Sequence, residues 1–409
     1  MTAIGAYALG VAPVAGTRRG GVPAWFGRET RHTLVAYLQR AAMVLAIGLG
    51  IILSLDAANN LGVMDSGGPG SQEGLLRLGY YLLLRAGYNL PALLPIVALV
   101  SVVWVEYRLA VSHERIMISN SGRSPALSLF PALLFGIVLG VLQFVSLAYI
   151  RPAAAAAQTA EHFRYFGLKY ERPVLTGERW LTTGSVFINA RVDIGDEVLL
   201  RDVTAYSLDN SGQMDAVVNA AVARPGPEPG TWTFEHGSIW NLGPDLPNGQ
   251  RGMRATSFSM LLRPLALDPL WVENLEIAPS LLPQGDLLAL AAKTTGVPAA
   301  FSYRAARDDR YAEVLLCVGI ALLGATVSLL SFSPHITPRS AVRVGVYGGA
   351  AYVAANVLPM MGTFGVAPSF VAAWTVPVGL VGVSALLLYR DAFGVRRRLV
   401  PAVRGRSEP

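Results

Sequence analysis

Few residues in this 409-residue sequence have types and spacing suited to catalysis. His113 and Glu114 match the first half of the zinc-protease motif HExxH, but its second histidine would fall at position 117, which is Met117. The single cysteine, Cys317, excludes an intrachain disulfide and disfavours a cysteine-based metal site. The sequence has no GxxxxGK[ST] phosphate loop. We therefore expect no catalytic residues and no metal or cofactor bound by this chain. We also expect no nucleic-acid partner.

His113 and Glu114 belong to a polar stretch, SHERIMISNSGRSP at 112–125. This stretch is better suited to protein docking than to catalysis. Glu114 and Arg115 could flank an apolar patch at 116–118, while Gly122 would end a short helix and Pro125 would begin the next one. Two interpretations are open on these residues alone. The stretch is either a solvated loop or a short helix that fits a groove on a separate motor protein.

The elements around this stretch are those of a membrane protein. Hydrophobic residues make up 53% of the chain and charged residues 15%, with a mean hydropathy of +0.44. A bilayer core requires about 20 apolar residues per helix. Six segments approach that length: 38–58, 80–105, 126–150, 314–333, 344–363 and 369–389. No positively charged region precedes the weakly apolar start, so we expect no cleaved signal peptide.

Basic residues predict the orientation of these helices. With the amino terminus in the cytoplasm, 16 of the 18 basic residues outside segment 151–310 fall on the cytoplasmic side, leaving only Arg77 and Arg85. Both termini are then cytoplasmic, and segment 151–310 is extracytoplasmic.

Segment 151–310 differs from the rest of the chain, because it carries 15 Lys/Arg and 18 Asp/Glu whereas the remainder carries 18 and 9. Apolar residues alternate in GSVFINARV (184–192) and TWTFEH (231–236), which is typical of half-buried strands. Turn-forming residues lie at 209–212 and 225–230. The sequence predicts an inserted β-sandwich or jelly-roll-like domain between three helices and three more.

This arrangement resembles the LptF/LptG family of lipopolysaccharide export permeases over residues 31–390, and its details are more similar to LptG. The similarity includes SQEGLLRLGYYLLLRAGYNLPALLPIVAL before and within the second helix, and GSVFINARV, VTAYSLD and GTWTFEHG in the insert. The polar stretch resembles the family's coupling helix, although His113 replaces the usual residue before the glutamate. Glu114 falls on that glutamate, and the closing turn is matched by Ser121, Gly122, Ser124 and Pro125.

The resemblance implies a permease subunit of an ATP-driven exporter, located in the bacterial inner membrane. Its partners would be a cytoplasmic ABC ATPase dimer that binds ATP and Mg²⁺, a second LptF/LptG-type permease, lipopolysaccharide, and a periplasmic β-jelly-roll bridge. The expected organisation is a cytoplasmic extension (1–30), helices with the coupling segment (31–150), a periplasmic β domain (151–310), further helices (311–390) and a basic cytoplasmic tail (391–409).

Charged residues near the outer membrane interface are candidates for the lipid path. Family members often carry basic residues at the outer end of the first helix, where this chain has Asp56. Asp56 could be a hydrated helix end. Otherwise Arg77 and Arg85 could substitute for the missing charges, the partner could supply them, or the substrate could differ. The arginines beside the β domain could attract anionic head groups or simply snorkel to the interface. They are Arg151, Arg304, Arg307 and Arg310.

Two GxxxG spacings, Gly136 with Gly140 and Gly345 with Gly349, permit close helix packing within the chain or with a partner. The alternative to an exporter subunit is a membrane-anchored binding or scaffold protein without transport activity. An ion-coupled carrier is disfavoured because the predicted spans hold almost no ionisable residues.

Overall fold

The computed structural model describes residues 27–392, with gaps at 61–71, 121–124, 162, 164–176, 195–196, 210, 229, 246–250, 266, 276, 294–299 and 333–337. Ser121, Gly122 and Ser124, most of the predicted N-terminal extension and nearly all of the predicted tail therefore lie outside the described residues. The helices are α1 (Arg28–Asn60), α2 (Gln72–Val111), α3 (Glu114–Asn120), α4 (Pro125–Val145), α5 (Arg151–Ala160), α6 (Pro269–Glu273), α7 (Gln284–Lys293), α8 (Ala300–Phe332), α9 (Pro338–Thr363) and α10 (Ser369–Ala392).

The prediction of six apolar helices long enough to span a bilayer is confirmed. They are α1, α2, α4 continuing into α5, α8, α9 and α10. The third runs without a break because a π-helical turn, Ser146–Ile150, joins α4 to α5 ahead of the buried Pro152. A proline lacks the backbone N–H that an α-helical turn requires, and a wider turn relieves that demand.

The centre of the helical bundle is α8, the most deeply buried of the six apolar helices. It packs against α4, where an added Cβ at Gly140 would lie 2.6 Å from the carbonyl oxygen of Val314. An added Cβ at Gly136 would lie 2.7 Å from the Cα of Val318. Both distances are shorter than van der Waals contact, so these two helices approach as closely as they do because the positions are glycine.

The described strands form one antiparallel sheet in sequential order β1 to β6. The strands are β1 (Arg179–Thr183), β2 (Val186–Ile194), β3 (Val198–Leu208), β4 (Met214–Pro225), β5 (Thr231–Asp245) and β6 (Arg251–Pro264). The alternation expected in β2 is present, since Ile188 and Ala190 are fully buried and their neighbours are not. The order is that of a meander. The more specific sandwich or jelly-roll arrangement stays a prediction.

One face of the sheet packs on helices rather than on a second sheet within the described residues. Trp232 and Phe234 of β5 are buried with Leu287 and Leu290 of α7. The indole N–H of Trp232 donates a hydrogen bond of 2.9 Å to the carbonyl oxygen of Leu267. The sheet and the helices before α8 therefore share one hydrophobic core.

The sheet and α3 lie at opposite ends of the bundle. The core of the sheet includes Tyr303 in the first turn of α8. The other end of α8 reaches α2 just before α3, where the rings of Phe332 and Tyr107 are 5.9 Å apart. Hence α8 runs the length of the bundle from the sheet to the region of α3.

Candidate functional site

A sharp reversal separates α2 from the short helix α3. His113 adopts a left-handed backbone with φ of 59°, a conformation that is uncommon for residues other than glycine and in which histidine is enriched. Its carbonyl oxygen accepts hydrogen bonds from the backbone N–H groups of Ile116 and Met117, at 3.1 and 3.4 Å. The residue that departs from the family motif thus lies at the turn that starts α3.

The two charged residues at the start of α3 point in different directions. Glu114 is exposed, whereas the side chain of Arg115 is only 11% exposed. Arg115 forms an ion pair of 2.7 Å with Glu106 of α2, and Glu106 is buried. The hydroxyl of Tyr37 in α1 donates a hydrogen bond to the same carboxylate. Arg115 therefore connects α3 to both α1 and α2, and Glu114 is left as the carboxylate available at the surface.

The outer side of α3 is apolar as well as acidic. Met117 is 65% exposed and Ile116 is 40% exposed, although both are large hydrophobic residues. Beside Glu114, a cavity of about 370 Å³ lies between α1 and α2 and includes Arg40 and Arg108 in its lining. This combination of exposed apolar side chains, a carboxylate and a neighbouring groove is suited to contact with another protein.

Asp56 is not a free carboxylate at the end of α1. It forms an ion pair with Arg85 of α2, whose Nε donates at 2.8 Å, and it accepts a hydrogen bond of 2.5 Å from the hydroxyl of Tyr81. Arg77, one helical turn earlier than Tyr81, lies over the ring of Phe163 at 5.8 Å. Asp56 and Arg85 therefore neutralise each other between α1 and α2.

The predicted lipid-path arginines beside the sheet have distinct surroundings. Arg151 lies over the ring of Tyr88 at 4.9 Å, and Arg307 pairs with Asp308 at 2.7 Å. Arg304 is partly buried. Arg310 is 3% exposed and donates to the carbonyl oxygen of Leu282 at 2.6 Å and to Gln284 at 2.9 Å. Arg310 thus holds the segment before α7 against α8.

A cavity of about 500 Å³ lies among α2, α4, α5, α8 and α9, and both polar and apolar side chains, including that of Arg310, line it. Gln143 lines it and donates one hydrogen bond of 3.1 Å to the carbonyl oxygen of Pro91 and another of 3.1 Å to Glu313. The carbonyl of Pro91 needs this donor because the residue four positions later, Pro95, has no backbone N–H to offer. Gln143 therefore supplies a hydrogen-bond donor to α2, where two prolines interrupt the backbone hydrogen bonding.

Several ionisable residues of this bundle are missing from the sequence-based set of sites. Glu106 and Asp308 are buried within helices, although the predicted spans hold almost no ionisable residues. Helix α8 begins at Ala300 and not near 314, so its charged first turns continue directly into its apolar part. Within the described residues, no group of three or more His, Cys, Asp or Glu side chains lies together in a way that could hold a metal ion.

The two GxxxG pairs have opposite surroundings. Gly136 and Gly140 contact the backbone of α8, whereas an added Cβ at Gly345 or Gly349 would meet no atom within 4 Å. The second pair therefore lies on an open surface of α9. The same spacing is used for packing in one helix and not in the other.

The comparisons with known proteins agree with this architecture. A family described as lipopolysaccharide export system permease LptF/LptG matches residues 31–390. A comparison with curated proteins finds no match. The family match covers all six apolar helices except the first residues of α1 and the last of α10, and it includes the whole sheet.

Proposed function

Because the chain belongs to the LptF/LptG family of lipopolysaccharide export permeases, and is a multi-pass protein of the inner membrane, we propose that it is one permease subunit of an ATP-driven exporter. The subunit extracts lipopolysaccharide from the inner membrane and passes it to a periplasmic β-domain bridge. A second LptF/LptG-type permease completes the membrane part, and a cytoplasmic ABC ATPase dimer, which binds ATP and Mg²⁺, supplies the energy.

The proposed topology places both termini in the cytoplasm and residues 151–310 in the periplasm. Its support is the distribution of arginines, since basic residues are retained on the cytoplasmic side of membrane helices. The α3 helix and the sheet lie at opposite ends of the bundle, as this topology requires. The ATPase then meets the end of the bundle that carries α3.

The coupling role is supported by one observation: one side of α3 is exposed, and the other side is ion-paired to α2. Glu114, Ile116 and Met117 are exposed on this short helix, while Arg115 is tied to α2 through the buried carboxylate of Glu106. One side of α3 thus offers a docking surface, and the other transfers displacement to the membrane helices. A helix without the inner ion pair could bind an ATPase without moving α1 and α2.

Copurification tests the docking surface. Glu114→Ala should weaken retention of the ATPase, and Met117→Asp should abolish it because a carboxylate replaces an apolar contact at the interface. Glu161→Ala is the control, since Glu161 is also an exposed carboxylate at a helix end but lies just after α5, away from α3. Full retention of the ATPase by both α3 variants, with normal lipopolysaccharide transfer from proteoliposomes, would contradict the proposal.

A second experiment separates docking from transmission. Glu106→Gln leaves the exposed side of α3 intact but removes the charge that holds Arg115. We expect this variant to copurify with the ATPase and to transfer less lipopolysaccharide per ATP hydrolysed. Equal transfer per ATP in the variant and the parent protein would show that the ion pair does not transmit movement.

A further inference from the structure

The 500 Å³ cavity that Arg310 lines also has buried hydrogen-bonding atoms in its lining that have no partner among the described residues. One of them is Oε1 of Gln143, whose residue is 2% exposed. The amide nitrogen faces the carbonyl oxygen of Pro91 and the carboxylate of Glu313, both of which accept hydrogen bonds. The amide therefore cannot be rotated to exchange its atoms without placing oxygen against oxygen. An acceptor is left open at this end of the cavity.

Two carboxylates lie at the same end. Asp309 and Glu313 are four residues apart on α8, which places them on the same face of the helix, and both line the cavity. Across the chain that the structure describes, no ion pair reaches either of them. Carboxylates within a membrane helix are costly unless a positive group or a proton neutralises them. This end of the cavity therefore favours a cationic group that donates hydrogen bonds.

Two arginines also line the cavity. Arg151 and Arg310 both line it, and the Nε atom of each is buried without an acceptor among the described residues. The terminal nitrogens of Arg310 are already used by Gln284 and by backbone carbonyl oxygens. A buried guanidinium donor without an acceptor is costly, so the two arginines favour an anionic oxygen as a ligand.

We propose that the cavity binds a zwitterion that carries a primary ammonium and a phosphate, the chemistry of a phosphoethanolamine head group. The ammonium donates to Gln143 and to the carboxylates of Asp309 and Glu313, and the phosphate accepts from Arg151 and Arg310. A simple cation would leave both Nε donors without an acceptor. A simple anion would face two carboxylates. A zwitterion provides a cation for the two carboxylates and an anionic acceptor for the two arginines.

The dimensions of the cavity agree with such a ligand. Gln143 and Arg151 are eight residues apart on one continuous helix, which corresponds to about 12 Å along its axis. The cavity volume of about 500 Å³ also lies in the range of small-ligand sites. This binding is independent of the proposed lipopolysaccharide transport.

Native mass spectrometry of the purified full chain, offered defined lipids, tests the proposal. We expect phosphatidylethanolamine to be retained about tenfold more than phosphatidylglycerol, which has the phosphate but no ammonium, because one charge-assisted hydrogen bond contributes this much. Asp309→Asn and Glu313→Gln should reduce that preference, because both variants lose a partner of the ammonium and no longer repel the anionic phosphatidylglycerol. Asp193→Asn, an exposed carboxylate of the sheet, is the matched control.

Retention of phosphatidylglycerol at or above the level of the parent protein also shows that each carboxylate variant is folded. Arg151→Met removes the phosphate partner and should reduce retention of both lipids together. Equal retention of the two lipids by the parent protein would overturn the proposal, as would an unchanged preference in both carboxylate variants. Soluble phosphorylethanolamine distinguishes the source of the ligand. If it raises the thermal unfolding temperature, the head group alone is sufficient, and if only the lipid binds, the ligand comes from the bilayer.

Discussion

Arg115 of α3 and Glu106 of α2 form an ion pair of 2.7 Å in which the carboxylate is almost completely buried. The pair connects a surface helix to the interior of the bundle across the turn at His113. A third residue, Tyr37, extends the connection to α1 by donating its hydroxyl hydrogen to Glu106. The position of α3 is therefore fixed from inside the bundle as well as by its chain connections.

Replacing Arg115 should destabilise the protein strongly. Arg115→Met leaves the carboxylate of Glu106 buried without its cation, and removal of one partner from a buried pair costs about 3–5 kcal/mol. Thermal unfolding in detergent measures the loss. Arg108→Met is the control, because Arg108 is exposed near the end of α2, the helix that carries Glu106, and exposed substitutions change stability by less than about 0.5 kcal/mol.

A double substitution shows whether the loss comes from the uncompensated charge. Glu106→Gln in the Arg115→Met background removes that charge, so the double variant should be more stable than Arg115→Met alone. The interpretation fails if Arg115→Met is no less stable than Arg108→Met, or if the second substitution adds a further loss of the same size.

The glycines of α4 provide a second test with an internal control. Gly140→Ala places a Cβ 2.6 Å from the carbonyl oxygen of Val314, so α4 and α8 must separate, at a cost of about 1–3 kcal/mol. Gly349→Ala meets no atom within 4 Å and should raise stability by up to about 1 kcal/mol through helix propensity. Thermal unfolding compares the two variants. Equal shifts for both positions would contradict the close packing of α4 on α8.

Much of the fold could be predicted because it depends on local composition. The apolar runs predicted all six helices, although they placed the start of the fourth near 314 instead of at Ala300. Apolarity identifies the part of a helix that lies in lipid. The first turns of α8 carry arginines and aspartates, of which Arg310 contacts the segment before α7, so composition alone assigned these turns to the inserted domain.

The partners of charged residues could not be predicted in the same way. A single carboxylate in an apolar run, as at Glu106, is a signal that could have marked the residue, but its hydrogen-bond donor Tyr37 lies 69 positions away. Glycine spacing has the same limitation. Gly136 with Gly140 and Gly345 with Gly349 have identical spacing, and only the fold determines which pair meets another helix.

The cluster around Asp56 yields a third prediction. Tyr81→Phe removes the hydroxyl that donates to Asp56 and should cost about 1.5–3 kcal/mol, the usual contribution of a hydrogen bond to a charged group. Tyr80→Phe is the control, since the neighbouring tyrosine is 42% exposed. Thermal unfolding again supplies the comparison. If the two variants are equally stable, the hydroxyl of Tyr81 does not contribute to the connection that Asp56 makes between α1 and α2.

Arg310 connects the sheet side of the protein to the helical bundle, and its removal should loosen that junction first. Arg310→Met leaves the carbonyl oxygen of Leu282 and the side chain of Gln284 without their shared donor. Because hydrogen bonds to a charged group contribute about 1.5–3 kcal/mol each, amide hydrogen exchange at 279–290 should become faster by about tenfold or more. Exchange within α4 should change less, since its contacts with α8 do not involve Arg310. Arg307→Met is the matched control because Arg307 pairs only with its neighbour Asp308 among the ion pairs that the structure describes. Equal exchange at 279–290 in the two variants would show that hydrophobic contacts, and not the guanidinium of Arg310, hold this segment on α8.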